Sequence, residues 1–151
     1  MFRIMTPCST ETMGSLPDLR HMVIDTSAVI AVLRQEREAA VFASAIEQAS
    51  VRRMSAVSFV ETAAVVDSAR DPIASRRLDE FVRRAEIIIE SVTEEQAHLA
   101  REAYRDFGKG SGHRAKLNFG DCFSYALAKI CSEPLLFKGE DFSATDAVRV
   151  G

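Results

Sequence analysis

The sequence predicts an α/β sandwich with a mostly parallel sheet, and two observations carry that expectation. Short strand candidates recur along the chain at His21–Asp25, Val51–Val57, Ile87–Ile89 and Leu135–Phe137. Between them lie longer stretches whose apolar residues fall at helical spacing, so strands and helices alternate.

Taken in order, His21-Met-Val-Ile-Asp25 is an apolar run ending on an acid, as a buried parallel strand would be. Thr26 or Ser27 can cap the helix that Ala28–Leu33 opens, and the helical pattern resumes through Glu38–Ala49. After the strand candidate Val51–Val57, Ser58 begins a helix whose apolar face (Phe59, Val60, Ala63, Ala64, Val66) reaches about Arg70. Pro72 opens another over Ile73–Arg84, with Leu78, Phe81 and Val82 on one side. Ile87–Ile89 is a β-branched strand core. Thr93-x-x-Gln96 matches a capping box, and its helix runs to about Phe107. Gly108–Gly112 holds three glycines and reads as a mobile loop. Asn118–Ile130 is helical, Pro134 interrupts it, and Leu135–Phe137 is the next strand, with Val148–Val150 a last short one.

A chain of 151 residues suits one domain with a real core. No apolar run approaches the roughly 20 residues that cross a bilayer. Residues 1–21 lack periodicity and make a poor secretory signal, so they read as a disordered leader or a start-site extension ahead of a domain over 22–150, with Met22 the candidate natural start. Cys8, Cys122 and Cys131 show no C-x-x-C spacing. Cys122 and Cys131 share one helix about 13 Å apart along its axis, too far to bridge. All three are expected to be reduced core residues of a cytoplasmic protein.

The net charge of −3 argues against a nucleic-acid partner, but its distribution matters more than its sum. From Arg101 to Lys116, Arg101, Arg105, Lys109, Arg114 and Lys116 stand against Glu102 and Asp106, a local balance of +3. That segment is either a basic patch or a solvated helix face running into a loop.

Four acids stand at strand exits or helix entries, which converge on one edge of a doubly wound sheet. Asp25 ends the first strand, Glu61 lies early in the helix after the second, Asp121 early in the helix after the glycine loop, and Asp141 follows the Leu135–Phe137 strand. Carboxylates without His or Cys in register suit Mg²⁺ or Mn²⁺, not Zn²⁺. Each has a structural rival: a turn or N-cap for Asp25, the Ser58-x-x-Glu61 capping box for Glu61, the helix dipole for Asp121, and an ordinary surface loop for Asp141. Thr26 or Ser27 can position a phosphate or water, or cap. Lys109, Arg114, Lys116 and Lys138 are candidates for substrate phosphates. His113 is a possible general acid or a solvated loop residue, and Asn118 reads as a helix cap.

Met22-Val-Ile-Asp25-Thr-Ser-Ala, the Ser58 helix with Glu61, Asn118-Phe-Gly-Asp121-Cys-Phe-Ser-Tyr-Ala-Leu-Ala, and Leu135-Leu-Phe-Lys-Gly-Glu-Asp141-Phe together resemble a PIN domain, and more closely the VapC toxins of bacterial toxin–antitoxin pairs. The resemblance covers about residues 22–150. It implies a three-layer α/β/α fold and Mg²⁺- or Mn²⁺-dependent endoribonuclease activity, with Asp25, Glu61 and Asp121 forming the metal pocket. It also implies a small VapB-like antitoxin partner and a homodimer. The family's fourth acid follows a Thr or Ser by two residues; here Phe137 and Gly139 occupy those places, so Glu140, Asp141 or Asp146 must supply it, with Asp141 preferred. The competing readings are a degenerate PIN domain serving as an RNA- or protein-binding scaffold, a PIN nuclease of RNA processing, and a haloacid-dehalogenase-type phosphotransferase. The last wants a second Asp where Ser27 stands.

Overall fold

The structure, a computed structural model, describes Cys8 and residues 20–151. The leader expected over 1–21 therefore lies outside the described residues, apart from Cys8, Arg20 and His21.

Strands β1 (His21–Ile24), β2 (Val51–Ser55), β3 (Ile88–Glu90) and β4 (Leu135–Leu136) pair in parallel in the order β3-β2-β1-β4. Parallel neighbours need crossovers, and helix pairs supply each one. Helices α1 (Thr26–Leu33) and α2 (Ala39–Gln48) join β1 to β2; α3 (Ala56–Asp67) and α4 (Pro72–Arg84) join β2 to β3; α5 (Glu94–Phe107) and α6 (Phe119–Cys131) join β3 to β4. The segment expected as a last strand is present as a single parallel bridge from Arg149 to Leu135.

Successive strand residues point to opposite faces. Val23 and Leu135 pack with Leu117, Leu127 and Phe142 in one core layer. Met22, Ile24, Met54 and Leu136 pack with Val29, Ile46 and Leu78 in the other. Both faces are thus covered, which is why β1 and β4 carry no polar alternation. The arrangement is the three-layer α/β/α sandwich.

Local structure departs from the sequence reading at several helix entries. Asp25, not Thr26 or Ser27, caps α1, its Oδ2 accepting the Ser27 N–H at 3.0 Å. Strand β2 stops at Ser55, which pairs with Glu90 and caps α3 through the Val57 N–H. Ser58 is therefore inside the helix and buried, and the Ser58-x-x-Glu61 capping box does not form. At α5 only half the expected box forms: Thr93 Oγ1 accepts the Gln96 N–H, while the Gln96 amide oxygen has no hydrogen-bond partner.

The glycine loop is tied at both ends, with Lys109 N–H donating to the Leu117 carbonyl and Leu117 N–H to that of Phe107. His113 is committed within it, its Nδ1 accepting the Ala115 N–H and its ring edge-on to Phe107. Cys131 ends α6 within disulfide reach of Cys8, and the two are bonded, with Cα atoms 5.3 Å apart. Of the three cysteines only Cys122 is the free, buried thiol expected. Arg52 ties the end of α2 to the end of α4, its guanidinium donating to the carbonyls of Ile46, Glu47, Ala49 and Ala85.

Candidate active site

The strand order reverses between β1 and β4, and in such sheets ligands bind outside the strands' carboxyl ends at that reversal. Asp25 leaves β1 there, 2% exposed. Three donors fix its carboxylate: the Ser27 N–H and hydroxyl on Oδ2, at 3.0 and 2.7 Å, and the Ser124 hydroxyl on Oδ1 at 2.6 Å. Ser58 and Ser124 share a hydroxyl–hydroxyl bond at 2.9 Å, extending the chain from α6 into α3. The Ser27 hydroxyl also accepts the Lys138 N–H, latching the exit of β4 to the start of α1.

Glu61 sits one turn after Ser58 on α3 and reaches across to α6. A Cβ at position 120 would fall 2.0 Å from its Oε2, so the carboxylate occupies the space that a glycine leaves. Burial raises the Glu61 pKa, the neighbouring Thr26 hydroxyl pulls it back, and the Asp25 charge raises it again. Thr26 and Thr62 both donate to the Ser58 carbonyl, so Thr26 helps to hold α3 against α1.

Asp121 is 7% exposed in the first turn of α6. Its Oδ2 accepts the Asn118 N–H while Asn118 Oδ1 accepts the Asp121 N–H, so Asn118 is the cap that the sequence suggests. The Asp121 pKa is pushed up to about 7, first by burial and then by the Asp25 charge; the Asn118 bond opposes this, and Asp141 and Glu61 add to it. The other three expected acids thus all act on Asp121 electrostatically.

Of the three candidates for the fourth acid, Asp141 is the one whose charge reaches Asp121. It is exposed and opens the 3-10 turn Asp141–Ala144, whose Phe142 is buried. Asp146 is instead taken by the Tyr125 hydroxyl at 2.6 Å and Lys129 Nζ at 2.7 Å, on the C-terminal half of α6. Glu140 is exposed beside Asp141. Among the candidate substrate cations, Lys138 is engaged by Glu36 and Glu38. Lys109, Arg114 and Lys116 are exposed along the loop before α6.

Two contributors escape sequence reading. Gly120 and Ser124 stand one helical turn apart on α6, the first making room for Glu61 and the second holding Asp25. Their spacing beside Asp121 is a small-residue stripe, which by itself reads as close helix packing.

The chemistry of the donor set fits a hard divalent cation. Asp25, Glu61, Asp121 and Asp141 present only oxygens, and among the described residues none is held in an ion pair. Crowded carboxylates with raised pKa values are the condition that a cation relieves. Among the described residues no three His, Cys, Asp or Glu side chains stand grouped so as to hold a metal ion. The acids are neighbours through charge.

The sequence profile of the PIN domain family matches residues 22–148, and the chain belongs to that family. Within the family it falls among the VapC ribonucleases. It is 59% identical over 128 residues to Ribonuclease VapC28 of Mycobacterium tuberculosis, covering 85% of this chain and 96% of that one. It is 50% identical over 129 residues to Ribonuclease VapC of Mycolicibacterium smegmatis, covering 85% and 99%. Among solved structures, Mycobacterium tuberculosis VapC20, described as a sarcin-ricin loop cleaving toxin, superposes with a TM-score of 0.66 over 85% of this chain and 98% of its own, at 18% identity. That last likeness concerns the fold alone.

Proposed function

We propose that the chain is a magnesium- or manganese-dependent endoribonuclease and the toxin of a VapBC-type pair. The observation that carries the reading is the cluster of acids around the first turn of α6, pushed together without cationic partners. Asp25, Glu61 and Asp121 would hold the ion, with Asp141 as the fourth acid. When bound, the ion would polarise a water and stabilise charge on the scissile phosphate.

The chain's own residues do the rest. Ser27 and Ser124 keep the Asp25 carboxylate in one orientation, and hydrogen bonds of this kind to a ligating carboxylate set its geometry. Glu61, with its pKa raised, is suited to take the proton of the attacking water. Lys109, Arg114 and Lys116 hold flanking phosphates, which position a strand without reading its sequence. Asn118 orients Asp121. Lys138, bound to Glu36 and Glu38, serves the substrate through its backbone latch to Ser27 more than through its charge.

A solved toxin–antitoxin complex from Klebsiella pneumoniae shares the fold, with a TM-score of 0.63 over 84% of this chain and 94% of its own at 17% identity. A small antitoxin partner and a homodimer are the assembly in keeping with the VapC relatives. The test is cleavage of RNA by the purified chain with Mg²⁺ or Mn²⁺ and after chelation, beside Asp25→Asn. Cleavage that needs the metal and vanishes in Asp25→Asn is expected. Growth unharmed when the wild-type chain is expressed without a partner would refute the toxin role.

A further inference from the structure

A cavity of about 450 Å³ opens between α5 and α6. Tyr104, Phe119 and Phe123 supply its aromatic walls, Arg101 and Lys109 its cations, and no acid lines it. Phe119 is 68% exposed and Tyr104 47%, and Phe123 meets Phe119 edge-on at 5.0 Å between ring centres. Among the described residues neither Arg101 nor Lys109 is held in an ion pair.

Its position matters as much as its lining. Asn118 belongs both to the cavity wall and to the capping box that holds Asp121. Phe119 and Asp121 are two residues apart in α6, so they point to nearly opposite sides of the same turn, separated by one helix width of roughly 10 Å. A strand whose phosphate lies at the acids can pass the helix end and reach the cavity with a neighbouring nucleoside.

We infer that this cavity seats an unpaired base of the RNA being cleaved, with Phe119 as the stacking surface and Arg101 and Lys109 against the adjoining phosphates. The inference rests on the nuclease reading of the acid cluster. Unstacked bases on aromatic side chains, beside cations that follow the backbone, are the usual means of holding single-stranded RNA. Charge favours this occupant over a second copy of the chain. In a two-fold contact the same patch meets itself, and a patch that holds Arg101 and Lys109 but no acid offers those cations no opposite charge.

The experiment uses the full chain, Mg²⁺ or Mn²⁺, and a labelled single-stranded RNA that the wild type cleaves, together with versions carrying one abasic site at each position in turn. Phe119→Ala is expected to raise KM by about 10-fold, the loss of one base–aromatic stack, with little change in kcat. Phe119→Trp should restore KM. On RNA abasic at the seated position the wild type and Phe119→Ala should behave alike. The inference fails if Phe119→Ala keeps the wild-type KM, or if its defect persists at every abasic position. It also fails if the defect comes with a drop in sedimentation mass, which would give the cavity to a second copy. A wild type that cleaves no RNA at all would instead overturn the nuclease reading, and this inference with it.

Discussion

Asp121→Asn separates what the acid cluster does for chemistry from what it costs the fold. The substitution removes the charge and keeps an oxygen to accept the Asn118 N–H. In the metal-free wild type the Asp121 carboxyl has its pKa raised from 3.8 to about 7. Between those values the folded chain keeps a proton that the unfolded chain has released. Stability therefore falls as pH rises through that window, and the full penalty is present above about pH 7. Three pKa units correspond to about 4 kcal/mol as a ceiling. Solvent at the open edge of the site and relaxation of the side chains reduce this, and about 2 kcal/mol is the working figure. The Asn118 bond acts through the same pKa, which it lowers.

Chelator-treated Asp121→Asn should thus unfold at a higher temperature than wild type at pH 8, by about 4–8 °C for a domain of this size. The gap should narrow steadily as pH falls toward 4. Saturating Mg²⁺ should raise the wild-type midpoint and leave the variant's unmoved, while cleavage is lost in the variant. Thermal unfolding followed by circular dichroism at several pH values reads all of this. A variant no more stable than wild type at pH 8, or a gap that ignores pH, would refute the claim that burial and the neighbouring acids disfavour the Asp121 charge.

Gly120→Ala should leave the thermal midpoint within about 1 kcal/mol of wild type, because the clashing atom is the mobile end of Glu61 and alanine favours helix. Its cleavage rate should nevertheless fall by about 10- to 100-fold as Glu61 is displaced, measured on the same RNA. Ser124→Ala strips one donor from buried Asp25 and leaves Ser58 without its hydroxyl partner, so a loss of about 1–2 kcal/mol in urea unfolding is expected, with slower cleavage. Arg52→Ala should cost about 2 kcal/mol and leave metal-site chemistry intact, since Arg52 serves only helix-end carbonyls remote from the acids. Equal losses of stability and activity per folded molecule would contradict that separation.

The layers of the fold were legible because apolar runs and helical spacing are local signals, and the β1 run reads as a buried parallel strand from four residues. Helix entries were less so. Ser58 looks like a cap in one dimension, but the β2 ladder ends at Ser55, and ladder length is a property of the partner strand. That shift changes the standing of Glu61, whose rival capping role disappears once Ser58 lies inside the helix. The glycine loop reads as mobile from composition, yet Leu117 closes it through backbone bonds that no side-chain pattern announces. Around the candidate site, the positions of Asp25 at the end of β1 and of Asp121 in the first turn of α6 could be read from the strand and loop before them. Ser124 was not, because its role exists only where α6 crosses the end of β1, 99 residues from its partner. Neither Asp141, the preferred fourth acid, nor Asp146 stands where the family pattern puts one; in the structure Asp146 is engaged by Tyr125 and Lys129, while the Asp141 charge reaches Asp121.

The run Asn118-Phe-Gly-Asp121 shows how one turn of helix can carry several unlike demands. Each position advances about 100°, so four consecutive side chains look in four directions. Asn118 closes the helix end, Phe119 faces the α5 cavity, Gly120 yields space to α3, and Asp121 faces the acids. The demands conflict energetically: the capping box rewards a fixed first turn, whereas the carboxylates around it repel. Because the cap is local and the repulsion is shared with three other elements, a bound cation can relieve the second without loosening the first. Metal binding should therefore stiffen the way α1, α3 and the turn after β4 meet α6, more than α6 itself. Hydrogen exchange with and without Mg²⁺ should accordingly gain protection at Ser27 and around Glu61, while the α6 amides change little.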